Sequence, residues 1–254
     1  MIVRDARTRE KLLEAGRRLA RVLEALRAAV APGVTAEELD DLAESLIRSR
    51  GDEPAFLGYT PEGAHLPYPA TLCVSINDEV VHGIPNESRK MLKEGDIVGL
   101  DLGLVHEDII VDAACTVPVG QVDELSRKLL RATEEALAAG IAEALPGNRV
   151  GDISHTIGAT IERAGFSIVK SLGGHGVGER VHEEPFIPNY GRAGAGPLLV
   201  EGMVLALEPI SSAGAAAVTI APDGYTYRTK DGSRSAHFEH TILIEKSGAR
   251  IITA

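Results

Sequence analysis

The chain has 254 residues, 44% of them hydrophobic and 25% charged, with 27 glycines and 13 prolines. That composition supports a packed core and excludes intrinsic disorder, collagen-like repeats and linker-dominated chains. Lys and Arg total 26 against 37 Asp and Glu, a formal net charge of −11, which argues against a nucleic-acid substrate or an anionic membrane surface as partner. Charges recur every few positions through the first thirty residues, so no signal-peptide core is expected. No stretch approaches the roughly eighteen apolar residues of a membrane span. Cys73 and Cys115 have neither disulfide-framework nor CxxC spacing, and the expectation is a reduced, cytoplasmic protein.

Leu12, Ala15, Leu19, Val22, Leu23, Leu26 and Val30 recur at steps of three or four, predicting an amphipathic helix over residues 5–30 that Ala31-Pro32-Gly33 stops. Thr35 followed by Glu38 is a capping-box pattern, and Leu39, Leu42, Leu46 and Ile47 carry a second helix to about Arg50, closed by Gly51. Strand-like runs follow at 71–76, 96–104 and 109–119. The helical plan then recurs at an offset of 114 residues: a helix from about Val122 to Leu145, Pro146-Gly147, and a helix from about Asp152 closed by Gly165. Further strand-like runs cover 203–210, 215–220 and 238–244. Blocks of helices and hairpin-forming strands predict an α+β fold with a mainly antiparallel sheet. The repeat predicts one domain over 1–254 made of two like halves, about 1–120 and 121–254.

The chemistry concentrates in a few segments. In DIVGLDLGLVHEDIIVDAACTV, a hairpin turning at His106-Glu107 sets Asp101 directly opposite Asp112. Two like charges so placed in apolar strands destabilise the pair unless a cation or a proton intervenes. A turn offset by one residue would instead send one Asp to solvent. Glu208 in MVLALEPI and Glu239 in AHFEHTILI are each embedded in apolar sequence, where alternation alone allows either to face outward. Four such acids together point to oxygen ligands for divalent ions such as Mn, Fe, Co or Zn, a set that one imidazole would complete. His175, among four glycines in GGHGVGERVHEEP, offers it, while His182 and His82 are further candidates for proton donation or carbonyl polarisation. No GxSxG, phosphate loop or cysteine-nucleophile motif is present. The residues alone stop at a two-metal hydrolase, with peptide and phosphoester substrates both open.

The segments SINDEVVHGIP, DIVGLDLG with Asp112 eleven residues later, GGHGVGERVHEEP, MVLALEPI and SAHFEHTILI, in that order, resemble the type I methionine aminopeptidases of the pita-bread metallopeptidase family. The likeness runs from about residue 5 to the C-terminus. It implies a pita-bread fold: a pseudo-twofold central antiparallel sheet, covered by helices, that holds two divalent ions. By motif, it implies Asp101 as ligand of one metal, Asp112 and Glu239 as bridges, and His175 and Glu208 as ligands of the other. Glu208 would also accept the proton of the attacking water, His182 would bind the scissile carbonyl oxygen, and His82 would contact the scissile amide nitrogen or the chain beyond it. Phe56, Tyr59, Tyr68, Cys73, Val181 and Tyr225 fall where the family's apolar side-chain pocket lies; the same residue types are equally ordinary in a core. Three departures stand out: the segment from Gly58 to Pro69, with His65 inside it, is longer than usual, Val181 stands where an aromatic is common, and His237 stands where Gln is common.

Within the same fold, a proline-directed aminopeptidase or dipeptidase is the alternative; such relatives usually add an N-terminal domain, for which this chain has no room. A metal-free binding protein is disfavoured because all five ligand positions hold metal-competent residues. The expected partners are N-terminal methionyl peptides and nascent chains met by a monomer. Eight Lys or Arg against four acids in the first thirty residues fit either a solvated helix face or a transient ribosome contact.

Overall fold

The structure is a computed structural model that describes every residue except Glu62, Ala64, His65, Glu87 and Ser88. Of the long Gly58–Pro69 segment, Glu62, Ala64 and His65 therefore lie outside the described residues. The two helical pairs form as expected: α1 (Ala6–Ala29) and α2 (Ala36–Arg48), then α3 (Glu124–Glu143) and α4 (Val150–Arg163). Their limits are chemical. Asp5 and Asp123 accept the backbone N–H of Thr8 and Ser126, and Thr35 and Glu38 complete the capping box of α2. The helix expected from about Asp152 begins two residues earlier, because the Asp152 carboxylate reaches back to the Arg149 N–H at 2.8 Å. The 114-residue offset carries Gly33 onto Gly147, and both adopt the left-handed conformation, at φ 92° and 94°, that ends the preceding turn with no Cβ to strain.

The strands are β1 (Glu53–Pro54), β2 (Cys73–Ile76), β3 (Glu79–Val81), β4 (Ile97–His106) and β5 (Ile109–Pro118) before the second helical pair. After it come β6 (Ser167–Ile168), β7 (Gly173–Gly176), β8 (Glu183–Pro188), β9 (Val204–Leu207), β10 (Ile210–Ser212), β11 (Val218–Ile220), β12 (Tyr227–Thr229), β13 (Ser235–His237), β14 (Glu239–Glu245) and β15 (Gly248–Ile251). The large sheet runs β1-β4-β5-β14-β9-β7-β8, with β2 beside β4 and β15 beside β14. Its pairs are all antiparallel. Two small sheets, β13-β10-β6 and β11-β12-β3, flank it.

Two expectations about strands are corrected. The hairpin turns at Glu107-Asp108, both at positive φ (47° and 67°), so β4 and β5 slide relative to the predicted register. Asp101 opposes Ala114 and Asp112 opposes Gly103, which puts the two acids diagonally on one face rather than directly opposite. The single run expected over 203–210 divides at Glu208-Pro209, with β9 in the large sheet and β10 in a small one. The proline has no N–H to continue the ladder.

Residues on the two faces of the large sheet differ sharply. Leu100, Leu102, Leu104, Val111, Ala113, Cys115 and Val117 pack with Leu12, Leu19, Leu23 and Leu26 of α1 in one core cluster. Leu205, Leu207, Ile242 and Ile244 pack with Leu129, Ile153, Ile157 and Ile161 of α3 and α4 in a second. Gly16 lets α1 approach closely, since a Cβ there would lie 2.2 Å from the Ile252 carbonyl oxygen. Helices thus cover one face and leave the other to the candidate site.

Candidate active site

Register alone assembles the donors. Cys73, Asp101, Ala114 and Glu239 form one row across β2, β4, β5 and β14. Thr241, Ala206 and His175 form the next, across β14, β9 and β7. Opposed residues share a face, as do residues two apart along a strand. Asp112 therefore joins Ala114, and Glu208, just past the end of β9, continues the side of Ala206. The side chains between the donors are small: Ala114, Ala206, Thr241 and Gly103. Space is left above the sheet where the acids converge.

All five predicted ligands, Asp101, Asp112, His175, Glu208 and Glu239, line one cavity of about 550 Å³ with His82, His182 and His237. Donor atoms of Asp112, His175 and Glu239 lie within 4.8 Å of one another. His175 Nε2 is 3.6 Å from Glu208 Oε1 and 4.0 Å from Glu239 Oε1. Its Nδ1 is 2.9 Å from the Gly176 carbonyl oxygen, so Nδ1 carries the proton and the Nε2 lone pair faces the carboxylates. Thr241 holds Asp112 in place by accepting its N–H at 2.9 Å and donating to its carbonyl oxygen at 2.8 Å.

Burial and crowding push every acid in the cluster toward its protonated form. Desolvation, then the neighbouring carboxylates, raise Asp112 to about 8 and Asp101 and Glu239 well above their ordinary range; desolvation raises Glu208 to about 8. Desolvation lowers His175 and His237 to about 3 and His82 to about 4, leaving neutral imidazoles. Asp101 Oδ1, Asp112 Oδ1, Glu239 Oε1 and His237 Nε2 are buried with no hydrogen-bond partner. Unpartnered acceptors facing one another are costly in a protein interior. A divalent cation removes the conflict, and the donor set fits one.

The remaining predicted residues gather beside the donors. His182 is exposed at the mouth; its Nδ1 is 2.9 Å from the Tyr59 hydroxyl, and its ring stands edge-on to His175 at 4.6 Å. His82 follows β3 with a positive φ of 57° and meets the Tyr227 ring edge-on at 5.7 Å. Phe56, Tyr68, Cys73, Val181 and Tyr225 form a separate apolar cluster with Ala70 and Ile84, and Tyr59 packs against it. Tyr68 meets Tyr225 edge-on at 5.2 Å and donates to the Gly83 carbonyl at 3.0 Å. Gly103 admits this cluster to the sheet, because a Cβ there would come within 2.9 Å of the Phe56 ring.

His237 enters the site although sequence reasoning marked it only as a departure. It is 5% exposed, with Nε2 3.4 Å from Glu208 Oε2 and 3.8 Å from Glu239 Oε2. Its position two residues before Glu239 was the available signal, although β13 ends at His237 and β14, in the large sheet, begins at Glu239.

Residues 10–246 match the profile of metallopeptidase family M24. A methionine aminopeptidase of Aquifex aeolicus is 46% identical over 246 residues, spanning 96% of this chain and 95% of that relative. The crystal structure of methionine aminopeptidase from Thermotoga maritima, 44% identical, superposes with a TM-score of 0.94 over 100% of this chain and 99% of that one. Prolidase from Pyrococcus furiosus, 23% identical, shares the fold, with a TM-score of 0.79 over 100% of this chain and 65% of that one. The buried donor cluster thus sits in a pita-bread fold, and the chain belongs to the methionine aminopeptidase family within the M24 metallopeptidases.

Proposed function

We infer that the chain removes the N-terminal methionine from peptides and proteins by metal-dependent hydrolysis. The observation that carries this reading is the buried cluster of five donors with orphaned oxygens, opening onto an apolar pocket, in a chain of this family. Two divalent cations, drawn from Co, Mn, Fe or Zn, would be held by Asp101, Asp112, His175, Glu208 and Glu239, with Asp112 and Glu239 shared between them. Cations held there would activate water for attack and polarise the scissile carbonyl.

The chain's own groups do the rest. Glu208, at the open end of β9, accepts a proton from the attacking water and returns it to the leaving amine. His182 donates to the scissile carbonyl oxygen. Its support is the Tyr59 contact: a hydroxyl donating to Nδ1 fixes the tautomer that carries its proton on Nε2. His82 contacts the amide nitrogen or the chain beyond it. Phe56, Tyr59, Tyr68, Cys73, Val181 and Tyr225 receive the methionine side chain, whose polarisable thioether suits aromatic walls.

The whole chain is read as one catalytic unit of two related halves, a reading the matched helical pairs support. Its substrates in the cell are nascent chains, met by a cytoplasmic monomer. Among the described residues no helix is long and apolar enough to cross a membrane. Arg9, Lys11, Arg17 and Arg18 are held by carboxylates, so a transient ribosome contact would fall to Arg4, Arg7, Arg21 and Arg27. The test is hydrolysis of Met-Ala-Ser and Ala-Pro-Ser by chelator-stripped protein, before and after adding Mn or Co. Metal-dependent release of methionine alone is expected; release from the proline peptide would move the activity to the proline-directed alternative.

A further inference from the structure

We propose that His237 is a sixth metal-binding side chain, a second imidazole for the cation held by His175, Glu208 and Glu239. The proposal rests on the metal reading above and extends its ligand set. Glu208 and Glu239 each turn one oxygen toward His175 and the other toward His237. Their Oε1 atoms lie 3.6 and 4.0 Å from His175 Nε2, and their Oε2 atoms 3.4 and 3.8 Å from His237 Nε2. Separations of this size are what donor atoms show when each stands about 2.0–2.2 Å from a common ion.

His237 has no competing use for that nitrogen. Its Nε2 is buried and makes no hydrogen bond, a state that native interiors avoid unless an ion or another partner belongs there. The residue is also rigidly placed. Its N–H donates to Thr116 Oγ1 at 2.9 Å, its carbonyl accepts from the same hydroxyl at 2.8 Å, and it pairs with Ile210. The imidazole is thereby anchored to β5, the strand that carries Asp112.

A second nitrogen donor has a chemical consequence. Imidazole favours the later divalent ions more strongly than carboxylate does, so a site with His175 and His237 discriminates Co, Fe or Zn from Mn more steeply than a site with one imidazole. Replacing His237 by Gln removes the imidazole and keeps an amide N–H donor of similar reach.

The experiment is X-ray absorption at the cobalt edge of the Co-loaded full-length protein, wild type and His237→Gln, with Co and Mn affinities measured on both by chelator competition. The expected result is a fall of about half in the imidazole outer-shell scattering and a drop of about tenfold in the Co-to-Mn affinity ratio in the variant. Unchanged imidazole scattering with an unchanged ratio overturns the proposal and makes His237 a hydrogen-bond partner of Glu208. His175→Gln is the control: if it too leaves the imidazole scattering unchanged, the metal reading itself fails. Should His237→Gln not fold, His237→Ala read by the same affinity ratio decides the matter, because a uniform loss of binding cancels in the ratio.

Discussion

The donor cluster and the apolar pocket share one cavity but are built differently. Asp101, Asp112, His175 and Glu239 stand on paired strands whose opposite face is locked against helices. Each donor's position follows from register, and a slip of one residue would send it into the aliphatic core. Apart from Cys73, which stands on β2 opposite Asp101, the pocket comes instead from connections: Phe56, Tyr59 and Tyr68 lie in the segment after β1, Val181 before β8, and Tyr225 before β12. Connections tolerate changes of length and composition that strands do not. The chemistry is thus tied to the fold, while selectivity can be altered without disturbing it.

The sharpest way to break this contrast is to remove a shared donor. Asp112→Ala or Glu239→Ala should lose bound metal and activity together, with kcat/KM falling by about a thousandfold or more, since the remaining donors no longer converge. Metal content and turnover measured on the same preparation check it; near-normal turnover in either variant would sink the shared-ligand assignment. His182→Ala should separate the two properties, retaining metal while kcat falls by roughly a hundred- to a thousandfold as a donor to the developing oxyanion is lost. Tyr59→Phe should cost about tenfold in kcat by releasing the tautomer, and that cost should vanish in the His182→Ala background, which a double-mutant cycle measures.

Proton linkage offers a smaller, continuous version of the same test. Asp112 and Glu208 are raised to about 8 in the metal-free site, far above the carboxylate range of an unfolded chain. Below about pH 6.5 the buried histidines, lowered to about 3 to 4, oppose the carboxylates by taking up protons only in the unfolded chain. Between about pH 6.5 and pH 8 the carboxylates alone make the folded metal-free protein hold more protons than the unfolded one, and its stability falls as pH rises through that window. Cations must displace those protons, so metal affinity should rise over the same range, by up to about tenfold per pH unit for each proton released. Thermal melts of chelator-stripped and metal-loaded protein from pH 6.5 to 8 should therefore diverge as pH rises. A metal-free melting temperature that climbs toward pH 8 would show that the carboxylates are not protonated in the fold.

How much of this was legible in the residues follows the same division. Apolar spacing and the 114-residue repeat located α1 to α4, and Thr35-Glu38 marked a cap that forms as expected. The five donors were identified through motifs, but the hairpin register was not. Glu107 and Asp108 both take positive φ, which neither residue advertises as an Asn-Gly turn would. The strand at Gly173–Gly176 was also missed, because its glycines carry no strand propensity and it is held by neighbours on both sides, β8 and β9. Glu208 was read inside a continuous strand. The Pro209 that follows it was a visible signal that the ladder ends there.

The mildest change addresses the pocket alone. Val181 is 3% exposed, in contact with the cluster of Phe56, Tyr68, Cys73 and Tyr225, and no donor to the metal site lies on its segment before β8. Val181→Phe would add an aromatic wall without touching a ligand. A sulfur–aromatic contact contributes about 0.3–1.5 kcal/mol, so kcat/KM for a methionyl peptide should rise by roughly two- to tenfold, chiefly through KM, with metal content unchanged. Steady-state kinetics on Met-Ala-Ser, set beside norleucine-Ala-Ser, would resolve the source. A gain confined to methionine assigns the added contact to the thioether, and an equal gain for norleucine assigns it to apolar filling. A loss with both peptides would mean that the cluster around Val181 already fills the space, so that the added ring displaces the substrate side chain it was meant to hold.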